Sequence, residues 1–284
     1  MESTFDGLIE TNGIELWVET FGAAGTPPVV LISGADSPGS RWDIELVRAL
    51  VQGPHFVVRF DNRDCGLSTK IDPDELYTLD DMARDVVGLM DALNIDRAHV
   101  VGRSMGGMIG QVLALDHADR VRSLALLITS PGMGDDRLPR PSDEFVDLLA
   151  ARHLAPPART REERVDYLVE LFRLYAGTVV PFEEARLRVA CAAEVDRMWY
   201  PDSGHSHAVW STTSRVDRLR EITVPTLIMH GTVDPDVPVA HARLMAEEIP
   251  DNECWIVEGL GHETPAALTP DLARRLLALF DRAP

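Results

Sequence analysis

Two periodicities alternate along this chain. Short apolar runs that end in turn residues are followed by longer stretches whose apolar positions recur every three or four residues; the runs read as buried strands and the stretches as amphipathic helices. GLIET (7–11) and GIELWVETFG (13–22) flank Asn12-Gly13, a pair suited to the positive φ angles of a tight turn, and predict an antiparallel hairpin. PPVVLISG (27–34) and HFVVRFD (55–61) are apolar along their length, as strands buried on both faces must be, and helical WDIELVRALVQG separates them. TLDDMARDVVGLMDALNI (78–95) predicts a helix with Thr78 and Asp81 as its cap. RAHVVGRS, helical MGGMIGQVLALDHADR and the run VRSLALLITS follow. Late in the chain come VPTLIMHG, a helix around VAHARLMAEEIP, strand-like ECWIVEGLG and a last helix, TPDLARRLLALF. This alternation predicts the α/β class, a mostly parallel eight-stranded sheet with helices on both faces.

Residues 132–214 break that rhythm. They are charged and apolar at helical spacing, contain PRPSDEF and APPART as connectors, and offer no parallel strand. The expected organisation is therefore a core of residues 1–131 and 215–284, with residues 132–214 as a helical lid inserted after strand six. Extra helices packed on the sheet are the alternative.

Composition narrows the partners. With 284 residues the chain can bury a full core, and its net charge of −19 opposes nucleic acid and anionic membranes, both of which need basic patches. Cys65, Cys191 and Cys254 are an odd number of scattered thiols with no C-x-x-C, read as packing residues rather than disulfides or zinc ligands. The start lacks a basic and apolar leader, and no run approaches a membrane span, so the expected location is the cytoplasm.

The chemistry is concentrated in HVVGRSMGGMIGQ (99–111). A serine at a sharp strand-to-helix turn projects its hydroxyl above the sheet, and the crowding there requires glycine two positions to either side. Gly102, Ser104 and Gly106 meet that requirement, with Gly107 adding clearance, and the helix that follows offers free N–H groups to negative charge. A serine hydroxyl needs a base to take its proton and an acid to orient that base. Among the histidines, His262 sits in the glycine-flanked loop GLGHETP between the last strand and last helix, at the sheet edge where ligands bind. His205 and His207 have the spacing of a chelating pair without a third local ligand, and His230 reads as a strand-end packing residue. The acid is expected in IMHGTVDPDVP. Asp234 is preferred because Asp-Pro fixes the turn, while Asp236 reads as a solvated residue or a helix cap. The order Ser104, Asp234, His262 is that of the α/β-hydrolase triad.

On GRSMGG, DNRDCGLST, HGTVDPDVP and GLGHETP the chain resembles the α/β-hydrolase superfamily over nearly its whole length. DNRDCGLST is similar to a D-x-R-G-x-G-x-S turn, with Asp64 in place of its middle glycine. FDNRDCGLST, LALDHADRV and LREITVPTL resemble the aclacinomycin methylesterase branch, which removes methyl from a polyketide carboxylate ester. Ser33 stands where many members carry histidine, and the resemblance implies that this branch lacks that histidine too. By this correspondence the backbone N–H groups of Ala35 and Met105 form the oxyanion hole. Asp36 and Arg41 lie close enough in sequence to face the pocket, with exposed loop charges as the alternative reading, and Trp199, Tyr200 and Trp210 are candidate apolar contacts in the insertion, with core packing as the alternative.

The resemblance implies ester hydrolysis through an acyl-serine, without metal or organic cofactor, on a small-molecule ester with a small alcohol and a large apolar acyl part. The rate is expected to rise through an apparent pKa of about 6 to 7 as His262 becomes a free base. A C–C hydrolase, a lactonase or a cofactor-free perhydrolase uses the same residues, and a ligand-binding receptor on the same scaffold is the reading outside enzymes. Oligomeric state is not encoded in any motif.

Overall fold

The computed structural model describes residues 1–154 and 157–283. β1 (Phe5–Thr11) and β2 (Ile14–Phe21) form the expected hairpin, with Asn12 and Gly13 both at positive φ, 47° and 78°. The sheet continues through β3 (Pro28–Ile32), β4 (Phe56–Phe60), β5 (Ala98–Arg103), β6 (Val121–Leu127), β7 (Thr226–Gly231) and β8 (Asn252–Val257). The strand order is β1-β2-β4-β3-β5-β6-β7-β8, antiparallel from β1 to β4 and parallel from there on.

Successive side chains of β3 serve opposite faces, as a period of two requires. Val30 and Ile32 join the core under α2 (Leu79–Ala92), α3 (Met105–Asp116) and α8 (Ala240–Glu248), while Val29 and Leu31 join the core under α1 (Ile44–Gln52) and α9 (Thr269–Asp281). All four are fully buried, each contributing about 1.5–3 kcal/mol. The α2 cap forms as the sequence predicts: the Asp81 N–H donates to Thr78 Oγ1 at 3.3 Å, and Asp81 Oδ2 accepts from the Thr78 N–H at 2.8 Å.

Between β6 and β7 lie α4 (Asp143–His153), α5 (Arg161–Tyr175), α6 (Glu184–Arg197) and α7 (His205–Trp210), with no strand among the described residues. Helices α5 and α6 enclose a small core of their own, Val165, Leu168, Val169, Cys191 and Val195. An isolated bridge between Met133 and Thr213 draws the two ends of this segment together, and Ala208 of α7 joins the main core. Ala155 and Pro156 of the APPART connector lie outside the described residues. Cys65 and Cys191 are buried free thiols, but Cys254 is exposed on edge strand β8, so the packing role expected for it does not hold.

Candidate active site

Ser104 joins β5 to α3 with φ 53° and ψ −122°, a conformation that costs a non-glycine residue about 1–3 kcal/mol. The flanking glycines answer the crowding. A Cβ on Gly102 would lie 2.2 Å from the carbonyl oxygen of Gly106, and one on Gly106 would lie 2.1 Å from that of Ile32. The strained serine is pinned on both sides of its backbone: its N–H donates to Leu127 O at 2.9 Å, and its carbonyl accepts from Thr129 Oγ1 at 2.7 Å and from the Gly107 N–H at 2.8 Å.

The loop after β8 brings His262 over this serine. Nε2 lies 3.0 Å from Ser104 Oγ, and Nδ1 lies 2.8 Å from Asp234 Oδ2. The backbone N–H of His262 donates to the Tyr175 carbonyl at the end of α5 (2.8 Å), and the Tyr175 ring stands 5.4 Å from the imidazole. The same loop is clasped by the chain after α5. The N–H groups of Thr178 and Val179 donate to Gly259 O at 2.6 and 3.0 Å, and the Gly177 N–H donates to Glu263 Oε1 at 2.7 Å.

Asp234 is buried at the turn after β7, where Oδ1 accepts the N–H groups of Asp236 (2.9 Å) and Val237 (2.8 Å), leaving Oδ2 for the histidine. Burial would raise its pKa, but the positive charge of His262 and hydrogen bonds from His230 and His262 outweigh burial and hold the carboxyl below its usual range. For His262, burial disfavours the imidazolium, yet the charge and hydrogen bond of Asp234, with Asp236 adding to them, raise its pKa above the ordinary histidine value.

Asp236 departs from its expected role. It is partly buried, caps no helix, and directs Oδ2 to within 3.7 Å of His262 Nε2. Burial and the neighbouring Asp234 charge raise its pKa. His230, read as a packing residue, lies under Asp234, its Nε2 2.7 Å from Val237 O and 3.3 Å from Asp234 Oδ2. Only its position one turn before Asp234 could have signalled this.

The loop after β3 passes beside the serine. A Cβ on Gly34 would lie 3.7 Å from Ser104 Oγ, and neither the Ala35 nor the Met105 N–H has an acceptor among the described residues. Asp36, at φ 54°, follows Ala35, and its N–H donates to Nδ1 of His205 at 2.9 Å. Nε2 of that fully buried ring lies 2.8 Å from Arg63 O. His205 is thus engaged at both nitrogens, and among the described residues no group of three or more His, Cys, Asp or Glu side chains is placed to hold a metal ion.

The remaining candidates are dispersed. Asp36 is exposed and accepts from Ser203 Oγ, and Arg41 pairs with Glu194 of α6 while lying 4.0 Å over the Phe172 ring. Trp199 packs against Tyr167 within the α5–α6 core, Tyr200 lies 5.5 Å from Lys70 Nζ, and Trp210 is 66 % exposed beside Met133 and Thr212. The structure brings none of these three aromatics to the serine, because each is engaged in packing or at the surface.

The turn DNRDCGLST braces the site from below. The Asp61 carboxylate accepts the N–H groups of Gly39 and Leu67, both at 2.8 Å, and pairs with Arg197 of α6 at 2.5 Å. Arg63 makes two contacts with Asp85 at 2.7 and 2.6 Å, both side chains buried. Asp64 occupies its glycine-like position at φ 62°, and its carboxylate compensates by accepting the N–H groups of Ile71 at 2.6 Å and Gly204 at 3.1 Å.

A nucleophile-type elbow at the carboxyl edge of this sheet agrees with comparison to known proteins. Residues 27–265 match the family model for the alpha/beta hydrolase fold. The chain belongs to the alpha/beta hydrolase family. Over 95% of its length, and 96% of the relative's, it is 33% identical to rhodomycin D methylesterase DnrP of Streptomyces peucetius. Among solved structures, the enol-lactonase of Burkholderia xenovorans LB400 is similar with a TM-score of 0.77 and 25% identity, over 97% of this chain and 100% of that one. The bromoperoxidase of Bacillus anthracis shares the fold, with a TM-score of 0.80 at 21% identity over 98% of this chain and 100% of that one. No helix among the described residues is long and apolar enough to cross a membrane.

Proposed function

We propose that this alpha/beta hydrolase is a serine ester hydrolase in which Ser104 is the nucleophile, His262 its base and Asp234 the orienting acid. The observation that carries this reading is the continuous contact from Asp234 Oδ2 to His262 Nδ1 (2.8 Å) and from His262 Nε2 to Ser104 Oγ (3.0 Å). Nε2 takes the hydroxyl proton as Oγ attacks the ester carbonyl. The resulting oxyanion is held by the free N–H groups of Ala35 and Met105, each donor lowering the barrier by about 3 kcal/mol. Collapse of the tetrahedral intermediate breaks the bond to the alcohol oxygen, which leaves with the proton from Nε2. Water enters, loses a proton to Nε2 and attacks the acyl-serine; return of that proton to Oγ releases the acid and restores the enzyme.

Residues 132–214 act in this scheme as a lid that encloses the acyl group, since the end of α5 lies against the histidine and α6 is joined by ion pairs to Arg41 and Asp61. Likeness to the Streptomyces methylesterase supports a methyl ester of a bulky, largely apolar acid as substrate. The deciding experiment is a pair of ester series on purified protein, one lengthening the alcohol and one enlarging the acyl group. Fastest turnover with methanol as leaving group and a large acyl part is expected; preference for short acyl groups on long alcohols would reverse the pocket assignment. Likeness to an enol-lactonase supports lactones as the second substrate class, tested in the same assay. A protein that remains folded but never labels at Ser104 with an organophosphonate would belong with the binding receptors instead.

A further inference from the structure

Arg103 immediately precedes the proposed nucleophile, and among the described residues its guanidinium forms no ion pair. Among the described residues its side chain makes one hydrogen bond, to a neutral hydroxyl, from Nη2 to Ser37 Oγ at 2.7 Å, and its guanidinium lies 5.9 Å from the Trp42 ring centre. The cations around it are matched: Arg41 pairs with Glu194, Arg197 with Asp61, and Arg63 with Asp85. No carboxylate of the described residues lies within 4.0 Å of Arg103. Where the end of β5 meets helix α6, Arg41 and Arg197 thus have the carboxylates of Glu194 and Asp61, while Arg103 has none within 4.0 Å among the described residues.

A partly buried guanidinium without a counter-ion is costly to retain. Burial and the like charge of Arg41 outweigh Glu194 and bring its pKa down to about 10, which still leaves it charged at neutral pH. If contact with Ser37 Oγ were its whole role, a neutral amide would serve without that cost. Its charge also reaches His262, where it opposes Asp234 and Asp236 by lowering the histidine's pKa, so the guanidinium lies within electrostatic range of the reacting atoms.

We propose that Arg103 forms an anion subsite beside Ser104, which holds an ionised oxygen, carboxylate or phenolate, carried on the acyl part of the ester. This rests on the ester-hydrolase reading and deepens it: a small alcohol such as methanol has no such group, so the acyl part must supply it. The substrate class narrows to esters of large acids that carry a second acidic oxygen.

The test compares the monomethyl ester of an aromatic dicarboxylic acid with its dimethyl ester, in the wild type and in Arg103→Gln and Arg103→Lys. A charge-assisted pair in a dry site predicts a preference of about tenfold or more in kcat/KM for the half-ester, carried by KM, which Arg103→Gln removes and Arg103→Lys keeps in part. An equal ratio in the wild type and Arg103→Gln would overturn the subsite. Cleavage of neither ester by the wild type would instead count against the hydrolase reading. In that case calorimetric titration of Ser104→Ala with the half-ester still decides the matter, binding lost in the Ser104→Ala, Arg103→Gln double variant supporting the subsite and unchanged binding refuting it. A second source of the anion is the carboxylate that hydrolysis itself creates. If Arg103→Gln weakens inhibition by a simple monocarboxylate and leaves the ester ratio untouched, Arg103 holds product and the proposal fails.

Discussion

The backbone N–H of Asp36 donates to Nδ1 of His205 across 2.9 Å, tying the loop that carries Ala35 to a buried ring of α7. Because Nε2 of the same ring lies 2.8 Å from the Arg63 carbonyl, the two bonds make Nδ1 the acceptor and Nε2 the donor. Asp36 sits at φ 54°, so the loop is held in a conformation it would otherwise relax. His205→Leu, which removes both bonds, should lower kcat by about tenfold to a hundredfold through a misplaced Ala35 N–H. His205→Gln, which retains a donor and an acceptor, should recover part of that loss. Equal kcat in His205→Leu and wild type, measured where both are fully folded, would leave the ring with a packing role alone.

Strain at the elbow predicts opposite effects on activity and stability. Ser104→Gly should abolish ester turnover and raise the thermal midpoint, because glycine adopts φ 53° without the cost of about 1–3 kcal/mol that serine incurs. Ser104→Ala should be equally inactive with a midpoint near that of the wild type, since the Cβ and its strain remain. Calorimetry of the three proteins separates these outcomes, and a midpoint lowered by glycine would contradict the account of the turn.

The two aspartates after β7 should differ in pH as well as in rate. Asp234→Asn should reduce kcat by up to about four orders of magnitude, since the amide favours the wrong imidazole tautomer. Only neutral His262 can accept the serine proton, so the rate rises as pH climbs through its pKa. Burial acts to lower that pKa, but Asp234 and Asp236 prevail over burial and Arg103, so the acidic limb should lie above 6.5 rather than across the ordinary imidazole range of about 6 to 7. Asp236→Asn deletes a charge 3.7 Å from Nε2 and should move this limb to lower pH with little change in the plateau. An unmoved limb, or one displaced upward, would show that Asp236 does not act on the histidine.

The buried pair Arg63–Asp85 gives a stability prediction independent of activity. Asp85→Asn or Arg63→Gln leaves a charge without its partner, and should cost about 3–5 kcal/mol in denaturant unfolding. Replacing both by apolar residues of similar volume should recover much of that, although Asn12 Nδ2 would then lose the acceptor it has on Asp85 at 2.8 Å. A double variant as unstable as the singles would mean that the pair is needed for more than its own neutralisation.

The strands, the hairpin turn, the α2 cap and the serine elbow were legible because each depends on neighbours in sequence: period-two burial, Asn-Gly at positive φ, Thr78 with Asp81, glycines around Ser104. Asp234 and His262 were legible from their places at strand ends. Roles that depend on contacts across the fold were not. His205 meets residues 36 and 63 only after the insertion closes on the core, and Asp236 reads as solvated until the histidine loop folds over it. The aromatic candidates stayed open between pocket and core for the same reason, since a helical stretch does not reveal which neighbour its Trp199 will face, and the α5–α6 core claimed it.

The clasp between the chain after α5 and the His262 loop makes the end of α5 and the imidazole one mechanical body. The bond from the His262 N–H to Tyr175 O and those from Thr178 and Val179 to Gly259 O leave no slack between them, and a Cβ on Gly177 would lie 2.1 Å from the Gly259 carbonyl oxygen. If residues 132–214 act as the proposed lid, outward movement of the end of α5 would carry the imidazole away from Ser104 Oγ. On that reading an open molecule would be a disarmed one, able to exchange ligand but not to ionise its serine, and closing over the acyl group would also set the trigger.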